Sequence, residues 1–112
     1  MSEITTHVLD LARGAPAAGI DVTLERADTA GSFSRIGRAN TDANGRVRSF
    51  GSSADITAGR YRLTFRVEEY FASGDSAFFP EVQILIEVKD ATRSYHVPLL
   101  LSPYGYTTYR GT

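Results

Sequence analysis

Apolar and polar residues alternate along much of this chain with a period of two. The clearest run is Tyr61-Arg62-Leu63-Thr64-Phe65-Arg66-Val67, in which Tyr61, Leu63, Phe65 and Val67 share one face. Such alternation is the mark of a half-buried strand, with Arg62 and Arg66 on a solvated outer face. Ile20 to Glu25 alternates in the same way, and so does Val82 to Val88, except that Leu85 falls on the outer face. Ile4 to Leu11 is rich in β-branched residues and reads as a first strand. Ile4, Thr6 and Val8 lie on one of its faces, and Thr5, His7 and Leu9 on the other. A less regular strand is predicted over Phe33 to Ala39. Turn chemistry punctuates these runs at Arg13-Gly14-Ala15-Pro16, at Asp28 to Ser32, around the Asn44-Gly45 pair and at Asp90 to Arg93. Phe50 to Ala58 is small, polar and loop-like. Ser73 to Pro80 predicts one short helical turn, with Ser73 or Asp75 as its cap and Pro80 as its stop. Seven or eight short strands without a long helical period predict an all-β, two-sheet sandwich with one short helix.

The last stretch breaks the pattern. Tyr95, Val97, Leu99 and Leu101 fall on one face, as a core-facing row should, but the other face carries His96, Pro98 and Leu100. A strand with one solvated face should be polar there, and only His96 is. Pro98 has no backbone donor, which favours an edge or a bulge. An apolar outer face needs a cover. A second subunit is the simplest cover, with His96 at or beside the interface. Fold-back of the Tyr104–Thr112 segment is the alternative.

Composition narrows the function classes. A chain of 112 residues, with 12 basic and 13 acidic side chains, fits one domain over 1–112 and offers no general field for nucleic acid or an anionic membrane. No apolar run reaches the length needed to cross a bilayer, and no secretory signal is visible at the start. Without Cys there is no thiol nucleophile, disulfide framework or Fe–S cluster. Only two histidines, His7 and His96, are present, and their spacing suits no metal motif. There is no Gly-x-Ser-x-Gly elbow and no Gly-rich phosphate loop, so neither a metal nor a cofactor is expected. A soluble cytoplasmic protein is the default.

The motifs resemble those of the 5-hydroxyisourate hydrolases, the transthyretin-related enzymes of purine breakdown. The tail carries the strongest part of the resemblance, in His96-Val97-Pro98-Leu99-Leu100-Leu101-Ser102, Tyr104-Gly105-Tyr106 and the terminal Tyr109-Arg110-Gly111-Thr112. The family ends in Tyr-Arg-Gly-Ser, so Thr112 is a departure. Ile4 to Asp10, Thr41-Asp42-Ala43-Asn44-Gly45-Arg46, Gly59-Arg60-Tyr61 and Phe78-Phe79-Pro80-Glu81 match further family stretches in order. The resemblance implies a transthyretin-like sandwich that hydrolyses 5-hydroxyisourate at its N1–C6 amide, on the route from urate to allantoin. The product is 2-oxo-4-hydroxy-4-carboxy-5-ureidoimidazoline. It also implies a homotetramer, a dimer of dimers, with sites between subunits. Carried over position by position, it assigns catalysis to His7, Arg46, His96 and Thr112. Substrate binding falls to His7, Arg46, Tyr109, Arg110 and Gly111.

These residue types suit the chemistry. Water attack on an acyl carbon needs a base near neutral pH, which His supplies. An oxyanion needs a fixed donor, which a planar guanidinium supplies. Either His7 or His96 could be the base, with the other binding substrate or donating a proton. On spacing alone His7 could equally be an ordinary strand residue and Arg46 a solvated strand end. Arg110 could touch substrate or fix the tail through a salt bridge. Thr112 keeps the hydroxyl of the family Ser but restricts χ1 and adds a methyl. Two competing readings are a transthyretin-like carrier of a small ligand and a plain Ig-like interaction module. Transthyretin shares the fold but lacks the His, Arg and terminal tetrapeptide features.

Overall fold

The computed structural model describes residues 3–51, 56–71 and 77–112. They form nine strands: β1 (Ile4–Asp10), β2 (Ala15–Pro16), β3 (Asp21–Ala27), β4 (Phe33–Asn40), β5 (Arg46–Val47), β6 (Gly59–Arg66), β7 (Glu81–Val88), β8 (Tyr95–Ser102) and β9 (Gly105–Thr108). Six of these follow the predicted runs, and a seventh, β9, is the tail folded back beside β8. The other two, β2 and β5, are two-residue segments laid along one edge of β1. The strands divide into a sheet of order β2-β1-β8-β9, with β5 also on β1, and a second of order β4-β3-β6-β7.

Alternation explains the layers. In the second sheet Val22, Leu24, Tyr61, Leu63, Phe65, Val82 and Ile84 point inward. In the first, Ile4, Val8, Val47, Tyr95, Val97, Leu99 and Leu101 face them. The outer face of the second sheet is polar, and Arg62 there pairs with Glu25 at 2.9 Å while its guanidinium lies 4.1 Å over Phe33. A parallel β1–β8 pair, with Ile4 opposite Tyr95 and Asp10 opposite Leu101, joins the two extremes of the chain at the centre of the first sheet.

The first strand stops at Asp10 rather than Leu11 because the Asp10 carboxylate is buried and fully used. Its Oδ1 accepts from the backbone N–H of Ala12 and Arg13, at 2.9 and 3.1 Å, and its Oδ2 accepts from the Tyr70 hydroxyl at 2.7 Å. An unpaired carboxylate at that depth would be costly; here it caps a turn and ties down the segment after β6.

The helical turn predicted over Ser73 to Pro80 falls partly on residues 72–76, outside the described ones. Its described end, Ala77 to Pro80, is not helical, and there is no helix among the described residues. The Phe78 N–H instead donates to the Pro103 carbonyl at 2.7 Å, so this backbone docks on the β8–β9 turn rather than on its own preceding turn. Phe79 then packs edge-to-face on Tyr106, ring centroids 5.3 Å apart. Of the predicted Phe50–Ala58 loop, residues 52–55 lie outside the described ones; the described parts carry no strand or helix and are anchored by buried Phe50 and Ile56. No helix among the described residues is long and apolar enough to cross a membrane.

Candidate active site

The outer face of the first sheet gathers the polar residues that the two end strands carry there. The β1–β5 pairing sets Arg46 opposite His7, and the β1–β8 pairing sets Pro98 on the other side of His7. The next row along holds Thr5 beside His96, and an isolated bridge adds Gly111 beside His96. Register alone therefore brings His7, Arg46, His96 and Gly111 into two adjacent rows. An open pocket of about 320 Å³ lies here, lined by Thr5, Arg46, Arg48 and His96 among others.

Arg46 owes its place to the turn before it. Gly45 has φ of 77°, a left-handed conformation that side chains disfavour. A Cβ there would lie 2.4 Å from the Val8 carbonyl oxygen. The turn is pressed onto β1, where the Val8 N–H donates to the Gly45 carbonyl at 2.7 Å. Asp42 closes it from within, accepting at Oδ1 from the backbone N–H of Asn44 and Arg46. Those bonds, the Arg46 one first, hold the Asp42 carboxyl below its ordinary value.

The two histidines sit differently. His7 Nε2 is 2.8 Å from the Asn44 carbonyl oxygen, which can only accept, so that nitrogen carries a proton. His96 Nδ1 is 2.8 Å from Thr5 Oγ1, a group able to donate or accept. Desolvation pushes the His96 imidazole below its ordinary pKa, and the positive fields of Arg46 and His7 add to the shift. His96 is thus a free base at neutral pH. A water proton could pass to it while the Arg46 guanidinium faces the same pocket.

The tail divides between two faces. Its register with β8 runs from Ser102 opposite Gly105 to His96 opposite Gly111, which sets Tyr109 opposite Pro98 and Arg110 opposite Val97. Gly111 thus lies against His96, and Thr112 follows it, exposed. Arg110 falls in the inward row. Its guanidinium lies 4.4 Å from the Tyr95 ring centroid, in a groove of about 270 Å³ shared with Ile84 to Glu87 of β7. Tyr109 is 55% exposed. Of the sequence-predicted residues, then, His7, Arg46, His96 and Gly111 come together, while Arg110 is turned to the opposite side of the strand and is stacked rather than salt-bridged. The tail does fold back, but as an edge strand beside β8 and not over its apolar outer face. Pro98 is buried, and Leu100 remains half-buried.

Sequence reasoning passed over Thr5 and Arg48 as site residues. Both could have been found by alternation, since Thr5 shares the face of His7 and Arg48 lies two residues from Arg46. Among the described residues no group of three or more His, Asp or Glu side chains is arranged to hold a metal ion.

Comparison with known proteins places this geometry. Residues 4–111 match the model of the HIUase/Transthyretin family. A 5-hydroxyisourate hydrolase from Caulobacter vibrioides is 44% identical, with all of both chains covered. The structure of Klebsiella pneumoniae 5-hydroxyisourate hydrolase superimposes with a TM-score of 0.86 at 36% identity over all of both chains. Transthyretin from Sparus aurata superimposes with a TM-score of 0.89 at 25% identity, covering 96% of this chain and 95% of that one. The backbone is shared by both branches, whereas sequence identity is higher to the hydrolases. A transthyretin-like sandwich bearing paired histidines and an arginine on the outer face of its β1–β8 sheet, the chain belongs to the HIUase/Transthyretin family.

Proposed function

We propose that the chain is a 5-hydroxyisourate hydrolase, acting in urate degradation as its relatives' names state, with His96 as the base. The observation that carries this reading is the joint position of His7, Arg46 and His96 on one face, with the His96 imidazole pushed below its ordinary pKa by desolvation first and by the Arg46 guanidinium next. A carrier of apolar ligands has no use for that set.

The chemistry follows from the tautomers. On this reading the Thr5 hydroxyl accepts the Nδ1 proton across the 2.8 Å contact, which leaves the lone pair of His96 on Nε2. That nitrogen takes a proton from water as the oxygen attacks the C6 carbonyl carbon of the ring. Charge that builds on the carbonyl oxygen is met by the Arg46 guanidinium, a permanent cation with two coplanar donors. Collapse breaks the C6–N1 bond. The proton returns to the leaving nitrogen from His96 or through the Thr112 hydroxyl, and a carboxylate is left on C6. His7, whose Nε2 proton is committed to the Asn44 carbonyl, orients substrate. Tyr109 and Gly111 line the substrate's other side.

Assembly into a homotetramer, with the site between copies, is supported by the apolar residues still uncovered. Leu100 is half-buried on the site's own face, and Leu85, Tyr104 and Tyr106 are exposed. The cytosol is the proposed compartment, in keeping with a chain that has no Cys.

The deciding experiment is the decay rate of freshly generated 5-hydroxyisourate with this protein and with its His96→Ala variant. Acceleration that the variant loses by roughly 100- to 10,000-fold is expected of a positioned base. No acceleration by the folded protein would refute the hydrolase reading and favour a carrier.

A further inference from the structure

The tail beyond β9 is held to the sheet by little backbone bonding. Pro98 has no N–H to give, so the β8 ladder is interrupted between the Leu99–Thr108 pair and the His96–Gly111 bridge. Thr108 spans part of the gap, its hydroxyl donating to the Pro98 carbonyl at 2.8 Å. Past that point the described backbone contact is the Gly111 N–H donating to the His96 carbonyl at 2.8 Å. Of the two side chains between these attachments, Tyr109 is exposed and Arg110 is stacked on Tyr95 at 4.4 Å.

Tyr95 is a firm platform. It is 7% exposed, its backbone N–H donates to the Glu3 carbonyl, and its hydroxyl donates to the Asp90 carbonyl at 2.9 Å while accepting from the Asp90 N–H at 3.2 Å. The ring is thus fixed at both ends, and the guanidinium covers a surface that does not move. The nearby Asp90 carboxylate is occupied by Thr92, through both its N–H and its hydroxyl. Arg110 accordingly engages the buried ring face while its own side chain stays exposed.

We infer that Arg110 is a positioning residue: by stacking on Tyr95 on one side of the tail it holds Gly111 against the His96 ring on the other. It acts on the reaction through Gly111 and His96, without touching substrate. The fit is close, because a Cβ at Gly111 would come within 2.7 Å of His96 Cδ2. Even a small lift of the tail would therefore free the ring and admit water to its surface. The consequence for turnover rests on the hydrolase reading; the consequence for the tail does not.

The test uses the substrate-free protein first. In Arg110→Gln, hydrogen exchange at the Gly111 amide should accelerate about two- to fivefold, the amount an exposed cation–π contact can supply. The His96 ring, which also faces Arg46, His7, Arg48 and Glu3, should titrate closer to the ordinary histidine value as it is rehydrated. Tyr95→Phe keeps the ring and should leave Gly111 exchange near that of the native chain. In turnover, Arg110→Gln should lower kcat with little change in KM. Unchanged Gly111 exchange together with a raised KM would overturn the inference and make Arg110 a substrate contact. Loosening by Tyr95→Phe but not by Arg110→Gln would also overturn it, since the hydroxyl rather than the stack would then hold the tail. If the protein proved to have no hydrolase activity, the exchange measurements would still decide for or against the latch.

Discussion

Replacing Gly111 with Ala sets a carbon atom 2.7 Å from His96 Cδ2 and 3.3 Å from Pro98 Cγ. The glycine is there for that contact and not for its backbone, because Gly111 is not among the positive-φ residues. To reach ordinary contact near 3.4 Å the His96 ring must retreat by about 0.7 Å, or the tail must lift by as much. Neither movement is free. The ring is tied at Nδ1 to Thr5 Oγ1 at 2.8 Å, and Pro98, being buried, cannot give way on the other side. A misplacement approaching 1 Å can cost on the order of 100-fold in rate. We expect kcat to fall by about 10- to 100-fold with KM changed much less. The core is untouched, so the stability cost should stay within about 1–3 kcal/mol, read by denaturant unfolding beside the kinetics. Native kcat in Gly111→Ala, with native His96 ring resonances, would refute the close contact and the role given to it.

Four further outcomes follow from the geometry. The acid limb of kcat/KM should fall below the ordinary His value, since desolvation, Arg46 and His7 all disfavour His96⁺; in Arg46→Gln the limb should move to higher pH, and a limb that stays put would contradict the coupling. The same depressed value means that the unfolded chain binds the His96 proton more readily, so this group's contribution to stability is present above about pH 6.5 and lost as pH falls below it, which unfolding midpoints across pH 5–8 will register. Gly45→Ala combines a left-handed backbone with a 2.4 Å approach to the Val8 carbonyl, and should cost on the order of 3 kcal/mol in denaturant unfolding. Asp10→Ala takes the buried acceptor away from two turn amides and from the Tyr70 hydroxyl, which keeps Arg13, and should cost about 1–3 kcal/mol; a loss below 1 kcal/mol would show that the network adds little.

Much of the sandwich could be read from alternation. The strands at Tyr61–Val67 and Val82–Val88 lie where the period of two puts them, and Leu85 is exposed as the break in its pattern implied. What periodicity could not supply was pairing. The β2 and β5 segments are too short to have a period, and they exist because β1 offers an open edge. The meeting of His7, Arg46 and His96 was anticipated through family resemblance, but that Thr5 would hold His96 depends on the β1–β8 register. Arg110 illustrates the same limit. Its sequence neighbourhood suggested substrate, and only the continuation of the β8 register past Pro98 turns it inward onto Tyr95.

The parallel seam between β1 and β8 has a consequence for how the protein is made. Thr5 and His96, neighbours in the sheet, are 91 residues apart in sequence. While the ribosome is still adding residues, β1 has no β8 to pair with, and one flank of the strand that will centre the sheet stays open. The second sheet, whose strands β3, β4, β6 and β7 all emerge earlier, can pair meanwhile. Closure of the first sheet waits for the last strands to be released, a late, long-range step of the kind that slows folding and exposes edges. A stalled or prematurely terminated nascent chain lacking β8 therefore carries His7 and Arg46 without His96. It would lack the base proposed above and, with one flank of its central strand unpaired, be open to association with other such fragments.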